Sequence, residues 1–171
     1  MHPRDVIDIL NRLNTQHGLS LPSYSVLSEV PDFDMEQSGT AAWSSTNATI
    51  AKVAWAAGTE GISGKQALSV TTTSANGYAT PQRALGVEPG AGLWVSALFT
   101  PSNPAVTNTG FLQLVDASGS VIEQITTTAK STVRLFRHMS NSGANGVVST
   151  RFGSQESGVT GIWDDIVLLD S

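Results

Sequence analysis

"GIWDDIVLLD", residues 161–170, is the stretch on which the reading of the fold turns. Two adjacent carboxylates, Asp164 and Asp165, stand between a tryptophan and an apolar run. In a β-strand, neighbouring side chains point to opposite faces, so the two acids cannot share one pocket through adjacent positions. Regular alternation puts Ile166 and Leu168 on the face of Asp164, with Val167 and Leu169 opposite. Two readings of the pair stay open. One acid is solvated while the other ends the strand, or a single acid enters a site.

Upstream of this strand the β pattern continues without a break from Asp32. Strands are expected at 47–55, 66–73, 77–87 (interrupted by Pro81), 92–100, 110–117, 121–128, 132–139, 146–154 and 161–169. Leu68 and Val70 alternate with Ser69 and Thr71, while Phe111 and Gln113 alternate less cleanly with Leu112 and Leu114. Turn signals fall between the runs at Glu88-Pro89-Gly90, Ser118-Gly119, Asn145-Gly146 and Ser157-Gly158. Many short strands with no second helix point to an all-β fold, a sandwich or a jelly roll, over residues 32–171.

Residues 1–31 differ in character. In "RDVIDILNRLN" (4–14), Val6, Ile9, Leu10 and Leu13 recur at i, i+3, i+4 and i+7, one apolar face of a short helix. Such a helix is marginal alone in water and needs something to pack on. Residues 15–31 then read as an extended arm. This helix and arm form the expected surface for a partner.

Bulk composition narrows the function. The chain has 171 residues, enough for one domain with a real core. Its 40% hydrophobic content argues against disorder, and its 13% charged content against a helical bundle. A net charge of −5 offers no basic footprint for nucleic acid or anionic membrane. Cysteine is absent, so there is no disulfide and no thiolate metal site. The start "MHPRDVIDIL" lacks an apolar h-region, so the reading is a chain made in a cytoplasm without a signal peptide. No run approaches the ~18 apolar residues of a membrane helix.

Several stretches, in order, resemble the carbohydrate-binding modules of the galactose-binding-like jelly-roll type, families 4 and 9. "DFDMEQSGTAAW" (32–43) resembles their first strand, and "GISGKQALSVTTTSANGYA" (61–79) their Gly-Lys turn, Ala-Leu-x-Val strand and Tyr hairpin. "GVEPGAGLWVSALFT", "GFLQLVDASGSVI" and "WDDIVLL" resemble the later strands. The resemblance covers residues 32–170 and implies a structural Ca²⁺. Its oxygen ligands would be Asp34 or Glu36, Asp164 or Asp165, and the carbonyls around Gly64 and Lys65, a mixed set that suits this ion. Asp34 stands where the family commonly has Glu.

Sugar binding needs exposed rings. Tyr78 beside Gly77 is the best placed, with Trp43 and Trp163 as further candidates; Trp94, inside "GLWVSALF", and Trp55 read as core. Catalysis finds no support: His2, His17 and His138 lie in unlike contexts, and there is no nucleophile elbow or phosphate loop. Arg134 and Arg137 fall on opposite faces of their strand.

Two functions follow as expectations. The first is a non-enzymatic virion structural protein, resembling capsid decoration (cement) proteins of tailed bacteriophages. It would bind the major capsid protein or another virion protein as a homo-oligomer, a trimer being favoured. The alternative is a carbohydrate-binding module recognising a glycan through exposed aromatics.

Overall fold

The computed structural model describes residues 25–26, 32, 35–54, 66–87, 90, 92–140 and 146–170. Val6, Ile9, Leu10 and Leu13, the expected helix face, lie outside them, as do Asp34, Trp55, Gly64 and Lys65. The strands are β1 (Ser25–Val26), β2 (Trp43–Thr46), β3 (Ala48–Ala54), β4 (Gln66–Thr72), β5 (Gly77–Pro81) and β6 (Leu85–Gly86). They continue with β7 (Gly92–Pro101), β8 (Gly110–Asp116), β9 (Val121–Thr127), β10 (Val133–Ser140), β11 (Val147–Ser154) and β12 (Thr160–Asp170). Among the described residues no helix is long and apolar enough to cross a membrane.

Two antiparallel sheets face each other. The first runs β10-β7-β12-β4-β3, with β1 on the end of β12; the second runs β2-β5-β11-β8-β9, with β6 on β11. The chain passes repeatedly from one sheet to the other, which is the expected jelly-roll sandwich. Period-2 alternation builds the core between them. Leu93, Val95, Ala97 and Phe99 of β7 point inward, as do Leu68 and Val70 of β4, Leu112 and Leu114 of β8, and Val148 and Phe152 of β11. A line of rings crosses the interior. Phe99 and Trp163 lie 4.8 Å apart, Trp163 and Phe152 5.3 Å, and Phe152 and Trp43 5.3 Å edge-on.

Phe99 needs room on both sides. A Cβ on Gly110 of β8 or on Gly161 of β12 would sit 2.8 Å from its ring carbons. Each sheet therefore contributes a glycine where that ring comes close to the backbone.

The expected interruption at Pro81 is present: Pro81 ends β5, because it has no N–H for a ladder, and β6 is a separate short strand. Two sequence expectations change. In the stretch 32–43, Asp32 and Met35 adopt φ of 58° and 55° and the strand β2 begins only at Trp43. The other change is in β12. Asp164 faces Leu98 and Val167 faces Ser96, so Asp165 and Ile166 together oppose the single residue Ala97. Asp165 has φ of 47° in this bulge. The extra residue reverses the alternation. Ile166 and Leu168 join Trp163 in the core, and they do not share the face of Asp164.

Candidate functional site

The acid pair is neither solvated nor a dyad. Asp164 is 2% exposed and Asp165 1%. Asp164 Oδ1 accepts the amide of Asp165, which tightens the bulge. Asp165 Oδ2 accepts from Arg134 Nη2 at 3.0 Å, while Arg134 Nη1 donates to Ser96 Oγ. Arg137 emerges from the other face of β10 and meets Glu123 at 3.4 Å, joining the edges of the two sheets. Both arginines are thus engaged by acids that lie far from them in sequence.

Of the expected metal ligands, Glu36, Asp164 and Asp165 are described. Glu36 Oε1 accepts the amide of Gln66, the first residue of β4. Asp165 is engaged by Arg134. Among the described residues no three Asp, Glu or His side chains gather as a metal cluster.

Two of the three candidate rings are core. Trp163 is fully buried among Phe99 and Phe152. Trp43 is buried too, and its indole Nε1 donates to Asp32 Oδ2 at 2.9 Å. Asp32 also accepts the amide of Gln37 and the ammonium of Lys52. The aromatic residues with the highest sequence visibility are therefore structural. Buried rings contribute most through packed area, which draws them inward.

Tyr78 alone of the three reaches a surface, the outer face of the second sheet, where it is half-buried. Register places it opposite Gly153 on β11 and Thr46 on β2. Arg151, two residues before Gly153 and on the same face, holds its guanidinium carbon 4.5 Å above the Tyr78 ring. Arg151 faces Gln113 on β8, and Gln113 faces Gln124 on β9. Gln113 Nε2 donates to Gln124 Oε1 at 2.7 Å. Thr80 and Ser149 add hydroxyls 3.2 Å apart on this face. Four strands spaced ~4.8 Å apart carry the row Tyr78–Arg151–Gln113–Gln124, so it spans roughly 14 Å.

The β8–β9 turn anchors this row. Arg151 Nη1 donates to the carbonyl of Gly119 at 2.8 Å. Asp116 shapes the turn: the Ser118 hydroxyl and then the Ser120 amide hold its carboxyl below the usual range. At the end of the sandwich, burial of Glu156 opposes ionisation, but the hydroxyl and amide of Thr109 outweigh it and lower its pKa.

The first sheet presents a different surface. Trp94 is not core, as the sequence suggested, but half-buried on the outer face, paired in register with His138. Its ring stacks on Phe136 at 4.8 Å and 7°, with His138 edge-on at 5.0 Å. Phe136 is 57% exposed. Ser96 shares the parity of Trp94 in "GLWVSALF", and that polar partner was the available signal. Arg151 carried no such signal, because its importance comes from Tyr78, 73 residues away in the chain.

No family model matches the chain, and no curated protein does. Solved structures do match, among them carbohydrate-binding modules of families 22, 4 and 61. The family 22 xylan-binding domain of Paenibacillus barcinonensis Xyn10C is 14% identical with a TM-score of 0.62, covering 88% of this chain and 97% of that one. An arabinose-bound α-L-arabinofuranosidase, MgGH51, is 13% identical with a TM-score of 0.59, over 79% of this chain; the chain spans 25% of that enzyme's length. The enzymatically active domain of bacteriophage CBA120 tailspike protein 4 is 9% identical, TM-score 0.57, covering 85% of this chain and 22% of that one. Identities this low carry the fold alone. The chain has the jelly-roll sandwich fold of carbohydrate-binding modules.

Proposed function

We propose that this chain is a non-catalytic module that binds a saccharide chain across the outer face of the second sheet. The observation that carries the reading is the transverse row Tyr78–Arg151–Gln113–Gln124, fixed on four hydrogen-bonded strands. A sugar presents many hydroxyls, each needing a donor or acceptor, and a row of amides, hydroxyls and a guanidinium supplies both. The likeness to whole modules, of which the chain covers nearly the full length, supports the same reading. A virion structural role has less behind it: the tailspike likeness concerns the fold only.

The test is calorimetry with xylohexaose and β-1,4-galactotriose, after a glycan array has ranked ligands. Tyr78→Ala and Gln113→Ala should each weaken binding about tenfold, the loss of one or two net hydrogen bonds. Phe136→Ala, on the opposite sheet, should leave it unchanged. A protein that binds no glycan and runs as a trimer in light scattering would return the virion reading to first place.

A structural Ca²⁺ is a separate proposal. Its described oxygen donors are Glu36 and Asp164, with Asp165 committed to Arg134. An all-oxygen set of this kind suits a hard cation.

A further inference from the structure

We propose, resting on the saccharide-binding reading above, that Arg151 makes the outer face of the second sheet selective for carboxylate-bearing saccharides. Three of the described cations are held in place by acids. Lys52 meets Asp32, Arg134 meets Asp165 and Arg137 meets Glu123. Arg151 has no carboxylate within ion-pair distance among the described residues. Its contacts are the Tyr78 ring and the Gly119 carbonyl.

Those two contacts orient the guanidinium without neutralising it. The carbonyl takes one N–H of Nη1, and the ring holds one flat side of the group. The fork keeps further N–H groups for a planar acceptor, which a carboxylate matches in bidentate fashion. The same geometry lowers the value of Tyr78 as a stacking platform. With a cation lying 4.5 Å above it, that ring face is closed to the apolar C–H side of a neutral sugar.

The neighbouring side chains on this sheet face add no competing charge. Thr46, Thr80, Ser149, Gln113 and Gln124 are neutral. The nearest acid along the turn, Asp116, has its Oδ1 occupied by Ser118 and Ser120. An acidic sugar would therefore meet one oriented cation among neutral hydrogen-bonding groups.

The experiment uses the full chain and matched polymers that differ only in charge: glucuronoxylan against its carboxyl-reduced form, and polygalacturonate against its methyl ester. The acidic member of at least one pair should bind roughly tenfold more tightly at low salt, as a charge-assisted bidentate contact predicts. That preference should shrink as salt is raised to about 0.5 M. Arg151→Gln, checked for an unchanged melting temperature, should bind both members equally, at the affinity of the neutral one. Equal binding of both members by the wild-type protein overturns the inference and leaves the saccharide reading standing. An Arg151→Gln variant that keeps the preference also overturns it. Binding of no polymer in either pair, together with no neutral oligosaccharide, overturns both.

Discussion

Replacing Lys52 by Met should destabilise the fold by about 3–5 kcal/mol, the usual cost of breaking one half of a buried ion pair. The side chains of Asp32 and Lys52 are 0% and 8% exposed, and their charged atoms lie 2.5 Å apart. Methionine keeps the stem's volume and removes only the ammonium. Asp32 would keep two donors, Trp43 Nε1 at 2.9 Å and the Gln37 amide at 2.8 Å. It would lose its counter-charge, and the Met35 carbonyl would lose its donor. The assay is urea unfolding at pH 7 followed by tryptophan fluorescence, to which Trp43 reports directly. A double-mutant cycle with Asp32→Asn separates the pair from general damage. If the two groups act on each other, the double variant should be less destabilised than the sum of the singles by about 2 kcal/mol or more. Additivity within about 0.5 kcal/mol, or a Lys52→Met loss below about 1 kcal/mol, would refute the reasoning.

Gly161→Ala should cost about 1–3 kcal/mol through overpacking, since the new Cβ meets the Phe99 ring at 2.8 Å and the Trp163 indole nitrogen at 2.9 Å. Denaturant midpoints check it, and an unchanged midpoint would mean that Phe99 can move aside. Glu156 has a depressed pKa, so its stabilising contribution is present above the unfolded carboxylate value and is lost as pH falls through the folded one. Glu156→Gln should therefore lower stability at pH 7, by about 1 kcal/mol for the weakened Thr109 contacts, and matter little near pH 3. A deficit as large at pH 3 as at pH 7 would contradict that account. For the proposed Ca²⁺, chelation should lower the melting temperature and added Ca²⁺ restore it. No change, with no metal in the purified protein, removes the ion.

The strands were largely legible because their signal is local. Alternation in "QALSVTT" and "GLWVSALFTP" states which residues share a face, and β4 and β7 appear within two residues of the expected bounds. What alternation lacks is any statement of which face meets the other sheet. Trp94 and Phe99 lie in one strand on opposite sides, and only the packing of the first sheet against the second sends Phe99 inward and leaves Trp94 on the surface. The bulge at Asp165 could not be read either. A single extra residue reverses the parity of everything after it, and the sequence of β12 alone carries no record of its register against Ala97.

By itself, then, the sequence determined the β character, the turns, the net negative charge and the lack of cysteine. These depend on side-chain type and on neighbours a few positions apart. The tertiary structure decided which rings are core and which are surface, and it brought Tyr78, Arg151, Gln113 and Gln124 into one row. That row joins β5, β11 and the β8–β9 hairpin, which lie far apart along the chain. Its existence depends on the order in which the strands hydrogen-bond, a property of the closed sandwich that no strand possesses alone.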